Sequence, residues 1–266
     1  MEPLIRKYPR TRHIQGSRLQ AGDEDLEAAP FAEIAGRHLV VEEKVDGANS
    51  AISFDSTGRL LLQSRGHYLT GGPRERHFNL FKQWAQCRAA DFWPVLGARY
   101  VMYGEWLYAK HTVFYDRLPH YFMEFDVLDV EHGQFLSTDR RHELLKGLGV
   151  LSVRVLREGA VKNLKELTGL IGPSAFISDR HIERLGEQCA SLGVDAGKTA
   201  RQTDPLATME GLYIKVEEEG VVRGRYKFIR SSFLQTIEKA DEHWHSRPIV
   251  PNCLAEGVSL FDGELG

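Results

Sequence analysis

A lysine followed at fixed spacing by aspartate, glycine and asparagine, Lys44-Val45-Asp46-Gly47-Ala48-Asn49, stands between two strand-like stretches, 38–43 and 50–55. An amine placed just after a strand is held at the floor of a pocket and is a candidate nucleophile. With an ordinary pKa near ~10.4 it is only about 0.1% neutral at pH 7.4, so such a site must favour the uncharged amine. Desolvation or nearby cations do that, and Arg65, Lys215, Lys227 and a bound metal are the candidates. The same residues also suit a plain hairpin turn, since Asp-Gly between two strands turns the chain tightly. What favours chemistry is the ordered series that follows. Ser64-Arg65-Gly66 closes the next strand, and Tyr103-Gly104-Glu105-Trp106 sets a carboxylate at a strand end. Glu124-Phe125-Asp126-Val127 combines an aromatic ring with carboxylates. Glu210-Gly211-Leu212-Tyr213-Ile214-Lys215 and Arg225-Tyr226-Lys227-Phe228 complete the series.

The elements that must position these groups are mostly strands. Period-two alternation predicts strands over 38–43, 50–55, 59–64, 100–106, 121–130 and 151–156. It predicts a hairpin of 211–216 and 221–229 turning at 218–220. Helical spacing over 75–88 puts Phe78, Phe81, Trp84 and Ala85 on one face. Further helices are expected near 163–171 and 179–192, and over 138–146 with Thr138 as its cap. Over 231–244 a last helix would turn Phe233, Ile237, Ala240 and Trp244 inward. Short turns between strands, without regular βαβ crossovers, predict an α+β fold on a largely antiparallel sheet. The expected organisation is a charged leader over 1–37, a catalytic domain over 38–246 and a tail over 247–266.

Composition excludes several classes. The 266 residues are 27% charged with net charge −3, and no stretch approaches the ~20 apolar residues of a membrane span. Cys87, Cys189 and Cys253 are too few and too scattered for a disulfide framework or zinc ribbon and suit a reducing cytoplasm. The segment 193–199, GVDAGKT, approximates a phosphate-binding loop but is one residue short and follows a helix, with a polar linker expected over 195–205. His243 and His245 lack an evident third metal ligand. Basic clusters at 6–18 and 65–76 are candidate contacts for a phosphate backbone.

The ordered motifs, spanning about 40–230, resemble the covalent nucleotidyltransferase superfamily of DNA ligases, RNA ligases and mRNA capping enzymes. Asn49, where DNA ligases and capping enzymes usually carry arginine, resembles the RNA ligase branch. The leader Lys7-Tyr8-Pro9-Arg10-Thr11 is similar to that of bacterial RNA-ligase-family proteins. The resemblance implies an antiparallel nucleotidyltransferase domain and an ATP-dependent RNA ligase using Mg²⁺ or Mn²⁺. Lys44 would attack the α-phosphate of ATP, and AMP would pass to an RNA 5′-phosphate and then be displaced by a 3′-hydroxyl. By the same resemblance Asp46 and Asn49 arrange lysine and phosphate, Arg65 and Glu105 hold the ribose, and Phe125 stacks on adenine. Glu105 and Glu210 orient metal waters, while Lys215 and Lys227 neutralise charge on the phosphate. Arg10, Arg12 and Arg18 are the expected RNA contacts, and an RNA end-healing protein is a plausible partner.

Two features bear on rival readings. The family's last motif usually has two lysines one residue apart, but Lys227 is flanked by Arg225 and Ile229, leaving Arg225 or Arg230 as the substitute. Only 36 residues follow Arg230, so no C-terminal OB-fold is expected of the kind DNA ligases and capping enzymes append. The alternatives are a DNA nick ligase, a GTP-using capping enzyme and an RNA-end-binding protein without catalysis.

Overall fold

Side chains that alternate between two faces build the strands. In chain order they are β1 (Arg12–His13), β2 (Leu39–Lys44), β3 (Ala48–Phe54), β4 (Leu60–Ser64), β5 (Tyr100–Trp106) and β6 (Phe122–Asp129). They continue with β7 (Gln134–Phe135), β8 (Leu151–Ser152), β9 (Val155–Gly159), β10 (Gly211–Glu218) and β11 (Val221–Ile229). This computed structural model describes residues 5–18, 27–238 and 247–261. One sheet has the order β1-β11-β10-β2-β9, and the other runs β4-β3-β5-β6-β7 with β8 beside β6. Among the named strands of the described residues, β1 with β11 and β6 with β8 pair in parallel and the other pairs are antiparallel, so the fold is α+β on largely antiparallel sheets.

The helices are α1 (Asn79–Cys87), α2 (Ala89–Leu96), α3 (Thr138–Leu145), α4 (Leu164–Thr168), α5 (His181–Leu192), α6 (Ala196–Arg201) and α7 (Ser231–Glu238). Phe81 and Trp84 of α1, Phe92 and Leu96 of α2 and Leu145 of α3 pack on Ile52, Met102, Phe122 and Val127 of the second sheet. Ile14, Ile34, Val161 and Leu167 cover Leu39, Val41, Leu212 and Ile214 of the first. Between the sheets lies a third core that includes Val45, Ala51, Tyr103, Phe125 and Ile229. The inner faces of both sheets therefore meet in this core.

Several expectations are corrected. The segment 151–156 is not one strand: β8 joins the second sheet and β9 the first, so the chain crosses between sheets at Val153 and Arg154. The helix over 75–88 begins as a 3-10 turn, Pro73–Phe78, before α1. Its inward face is as expected, but α2 follows at once and was not foreseen. Thr138 does not cap α3; it is the first helical residue, and its N–H and hydroxyl donate to Glu217 of β10. The linker over 195–205 contains α6, whose N-terminus is capped by the Asp195 carboxylate accepting from Lys198 N at 2.8 Å. That carboxylate occupies the position a phosphate would take. The segment 247–261, expected as a tail, forms bridges to Ala109 and Leu118 and buries Val250 and Asn252. Asp23, Glu24, Asp25, Ala240, His243, Trp244 and His245 lie outside the described residues.

Candidate active site

Register carries Lys44 to its partners. Lys44 ends β2 opposite Gly211, the first residue of β10, so Glu210 immediately before it faces the lysine. Gly211 admits no side chain, because a Cβ there would overlap the Phe228 carbonyl. The Lys44 ammonium lies 2.7 Å and 2.8 Å from the two Glu210 carboxylate oxygens. Burial works against its charge, but Glu210 and Glu105 outweigh burial and raise its pKa. The resting amine is therefore protonated, contrary to the expectation of a site that favours the neutral form.

The turn after Lys44 is fixed from three sides. Asp46 Oδ2 accepts from Thr112 N at 2.7 Å and Val113 N at 2.8 Å, and Asp46 N donates to Tyr115 Oη at 2.8 Å. Gly47 N donates to Glu105 Oε1 at 3.1 Å. A Cβ on Gly47 would stand 2.7 Å from Leu107, 2.8 Å from the Trp106 carbonyl and 2.9 Å from Glu105, so this position requires glycine. Asn49 pairs in register with Glu105 across β3 and β5, and its buried Oδ1 has no hydrogen-bond partner among the described residues.

The electrostatics of this cluster lean negative. Glu105 is pushed up to about 8, first by burial and then by Glu210 and Asp46 against the pull of Lys44. Glu210, 1% exposed, is pushed up to about 7 by burial and Asp46, with Lys44 and Lys227 opposing. Burial also raises Asp46, despite its two backbone N–H donors and Lys44. Three carboxyl groups thus crowd round Lys44, an arrangement whose charge a divalent cation would offset.

Farther along the same strand face lies a second, drier cluster. Lys215, fully buried, is paired with Glu42 at 3.0 Å and Asp126 at 3.3 Å and donates to the Phe125 carbonyl. Phe125 is the extra residue where Tyr103 pairs with Asp126 but Gly104 pairs with Glu124, a β-bulge that leaves its carbonyl outside the strand ladder. Arg141 is paired with Glu42 and Glu124, and Arg225 Nε donates to Asp126 at 3.0 Å. Three cations therefore meet three carboxylates. Burial alone would raise Asp126, but Lys215 and Arg225 outweigh it and hold its pKa low. Tyr8 and Tyr213 close the cluster, their hydroxyls 2.5 Å apart, with Tyr8 donating to Asp126 at 2.5 Å.

Lys44, Asp46, Asn49, Glu105 and Glu210 are thus brought together, with Lys227 close enough to act on Glu210. Lys215 and Phe125 belong to the deeper cluster, and the Phe125 ring meets Tyr8 edge-on with centroids 5.2 Å apart. Arg65 is exposed just after β4. Arg225 is held by Asp126 and Arg230 by Asp204, Met209 O and Ser232. Arg10 and Arg18 are exposed, and Arg12, its side chain 42% exposed, is joined to Glu33 by hydrogen bonds of 2.8 Å and 3.2 Å. Sequence reasoning gave no role to Tyr8 and Tyr213, although both sit inside segments it singled out, and it missed Thr112, Val113 and Tyr115.

A sequence model of the family described as RNA ligase matches residues 37–229, which run from β2 through the last strand of this site. The chain belongs to the RNA ligase family. In structure it is similar to Naegleria gruberi RNA ligase. A glutamate-to-alanine mutant of that protein with ATP and Mn aligns at 17% identity and TM-score 0.53, covering 87% of this chain and 58% of the other. A second such mutant, with AMP and Mn, aligns at 16% identity and TM-score 0.55, covering 88% and 59%. The RNA ligase fold is therefore shared, and this chain matches less than two thirds of the longer protein's length. No curated protein matches it in sequence. Among the described residues, no helix is long and apolar enough to cross a membrane.

Proposed function

We propose that this protein is an ATP-dependent RNA ligase that works through a lysyl-adenylate on Lys44. The observation that carries this reading is the meeting of Lys44, Asp46, Glu105 and Glu210 around one strand end, in a chain of the RNA ligase family. The neutral Lys44 amine attacks the α-phosphorus of ATP, a phosphorus–nitrogen bond forms and pyrophosphate leaves. Glu210, whose oxygens lie 2.7 Å and 2.8 Å from the lysine nitrogen, is the nearest base for its proton. AMP then passes to an RNA 5′-phosphate oxygen, and the RNA 3′-hydroxyl displaces AMP to form the phosphodiester.

The residues present fit a divalent cation and a nucleotide. The crowded carboxyl groups of Glu105 and Glu210 would hold Mg²⁺ or Mn²⁺, and the orphaned Asn49 Oδ1 offers an acceptor beside them. Such an ion supplies Lewis-acid polarisation of phosphate oxygens and offsets their charge. Lys227 adds a fixed cation near Glu210. In this reading Phe125 lines the base pocket, Arg65 reaches the ribose from the rim, and Lys215 holds the pocket's back wall through Glu42 and Asp126. The ends to be joined must carry a 5′-phosphate and a 3′-hydroxyl, so ends that lack them would need an end-healing activity first. Incubation with α-labelled ATP and Mn²⁺ or Mg²⁺ should leave one AMP on the denatured wild-type chain and none on Lys44→Ala. A wild-type chain that stays unlabelled, after any bound AMP is stripped, would overturn the proposal.

A further inference from the structure

The family match ends at residue 229, yet the segment 247–261 is bonded to the loop that fixes Asp46. That loop, 107–121, joins β5 to β6 and has little regular structure of its own to set its shape. Asn252, 1% exposed, holds it from both sides. Asn252 Nδ2 donates to Leu107 O at 2.7 Å, and its Oδ1 accepts from Tyr115 N at 2.9 Å. The backbone adds to this grip: Asn252 N donates to Tyr108 O at 2.8 Å, and Asn252 O accepts from the Tyr121 hydroxyl at 2.7 Å. Lys110 N donates to Val250 O, and Cys253 N donates to Tyr115 O, each at 2.9 Å.

We infer that Asn252 is a positioning residue for adenylation, acting on Asp46 through Tyr115 and the loop that carries Thr112 and Val113. The path is short and continuous. Asn252 anchors the Tyr115 backbone, the Tyr115 hydroxyl accepts from Asp46 N, and the backbone N–H groups of Thr112 and Val113 clamp the Asp46 carboxylate. Asp46 lies two residues from Lys44, so displacement of this loop moves the turn on which the nucleophile sits. An amide suits the position because it donates and accepts at once. A carboxylate would lose the bond to Leu107 O, and an aliphatic side chain would lose both. The segment is therefore part of the site's support as well as a cover over apolar surface.

The inference rests on the adenylation reading, and the experiment separates the two. Single-turnover labelling of Lys44 is followed at saturating ATP, well below each variant's unfolding midpoint. Tyr115→Phe keeps the ring and deletes only the hydroxyl, so it should fold. It should slow labelling at least fivefold while the KM for ATP stays within twofold. Asn252→Ala should slow labelling at least tenfold, and the double variant should be little slower than Asn252→Ala, because both act on one path. Leu260→Ala, in the same segment but packed in the outer core, should lose stability without loss of labelling rate. If Asn252→Ala does not fold, Tyr115→Phe decides alone. Labelling by Tyr115→Phe within twofold of wild type, multiplicative effects in the double variant, or an equal loss of rate in Leu260→Ala overturns the inference. An unlabelled wild type overturns the adenylation reading and this inference together.

Discussion

At neutral pH the Lys44 ammonium stands between the two oxygens of Glu210, so removing its proton is the first requirement of the proposed attack. Labelling by ATP should accordingly quicken as pH rises from 6 to 9, and a flat or falling profile would count against Lys44 as the titrating nucleophile. The carboxyl groups give a second pH effect with a definite sign. Glu105 and Glu210 sit at about 8 and about 7 when folded, above their ordinary 4.5. Between those values the folded chain binds more protons than the unfolded one, so these groups lower stability as pH rises from about 5 to 8. Without metal, the unfolding midpoint should be lower at pH 8.5 than at pH 6, and added Mn²⁺ or Glu105→Gln should shrink the difference. Calorimetry at the two pH values checks this. Asn49 has its own test, because loss of one hydrogen bond to a charged phosphate costs about 1.5–3 kcal/mol. Asn49→Ala should therefore seal pre-adenylated RNA at least tenfold more slowly than wild type, and sealing at wild-type speed would reduce Asn49 to a turn residue. The meeting of Lys44 with carboxylates was legible in the sequence because each of these residues sits in a short motif at a strand end. The donors that clamp Asp46 were not, since they are backbone N–H groups of Thr112 and Val113 and leave no mark on residue type.

Strands were the most legible elements, because an alternating pattern survives whichever sheet the strand joins. Pairing partners were not legible, and 151–156 shows why: one alternating run serves two sheets in turn. The bulge at Phe125 was hidden for a similar reason, since one extra residue in a strand changes register without changing composition. Helix α6 escaped notice because its polar sequence shows little apolar periodicity, while its Asp195 cap supplies the start. Asp195→Ala should cost about 1 kcal/mol. In a thermal melt that is a fall of about 2–4 °C for a chain of this size, with labelling unchanged. Gly47→Ala should behave differently. Its Cβ would meet the Trp106 backbone and the Glu105 side chain inside 3.0 Å, so the turn and Glu105 must both shift. Overpacking of this kind costs about 1–3 kcal/mol. Here it should also cut labelling at least tenfold, which distinguishes it from the helix cap in the same pair of assays.

Across the whole molecule, the two sheets divide the work, one carrying Lys44 and Lys227 and the other Asn49 and Glu105. In the proposed reaction RNA reaches the strand end that carries Lys44, and the exposed leader arginines Arg10 and Arg18 are the proposed phosphate contacts. Replacing both should weaken RNA binding and flatten its salt dependence by about one unit of slope per lost contact, with ATP labelling near wild type. A fall in labelling would instead assign the leader to the proposed nucleotide pocket. The strand order β1-β11-β10-β2-β9 also has a consequence in time. Strand β2, with Lys44, leaves the ribosome early, but its neighbours β9 and β10 come from far downstream, and β1 must wait for β11. At about 5–20 residues per second, Lys44 spends on the order of ten seconds as a nascent lysine with neither Glu210 nor a sheet around it. During synthesis Lys44 is therefore an ordinary exposed amine, and it gains the carboxylate partner of its proposed chemistry only when the last long hairpin arrives.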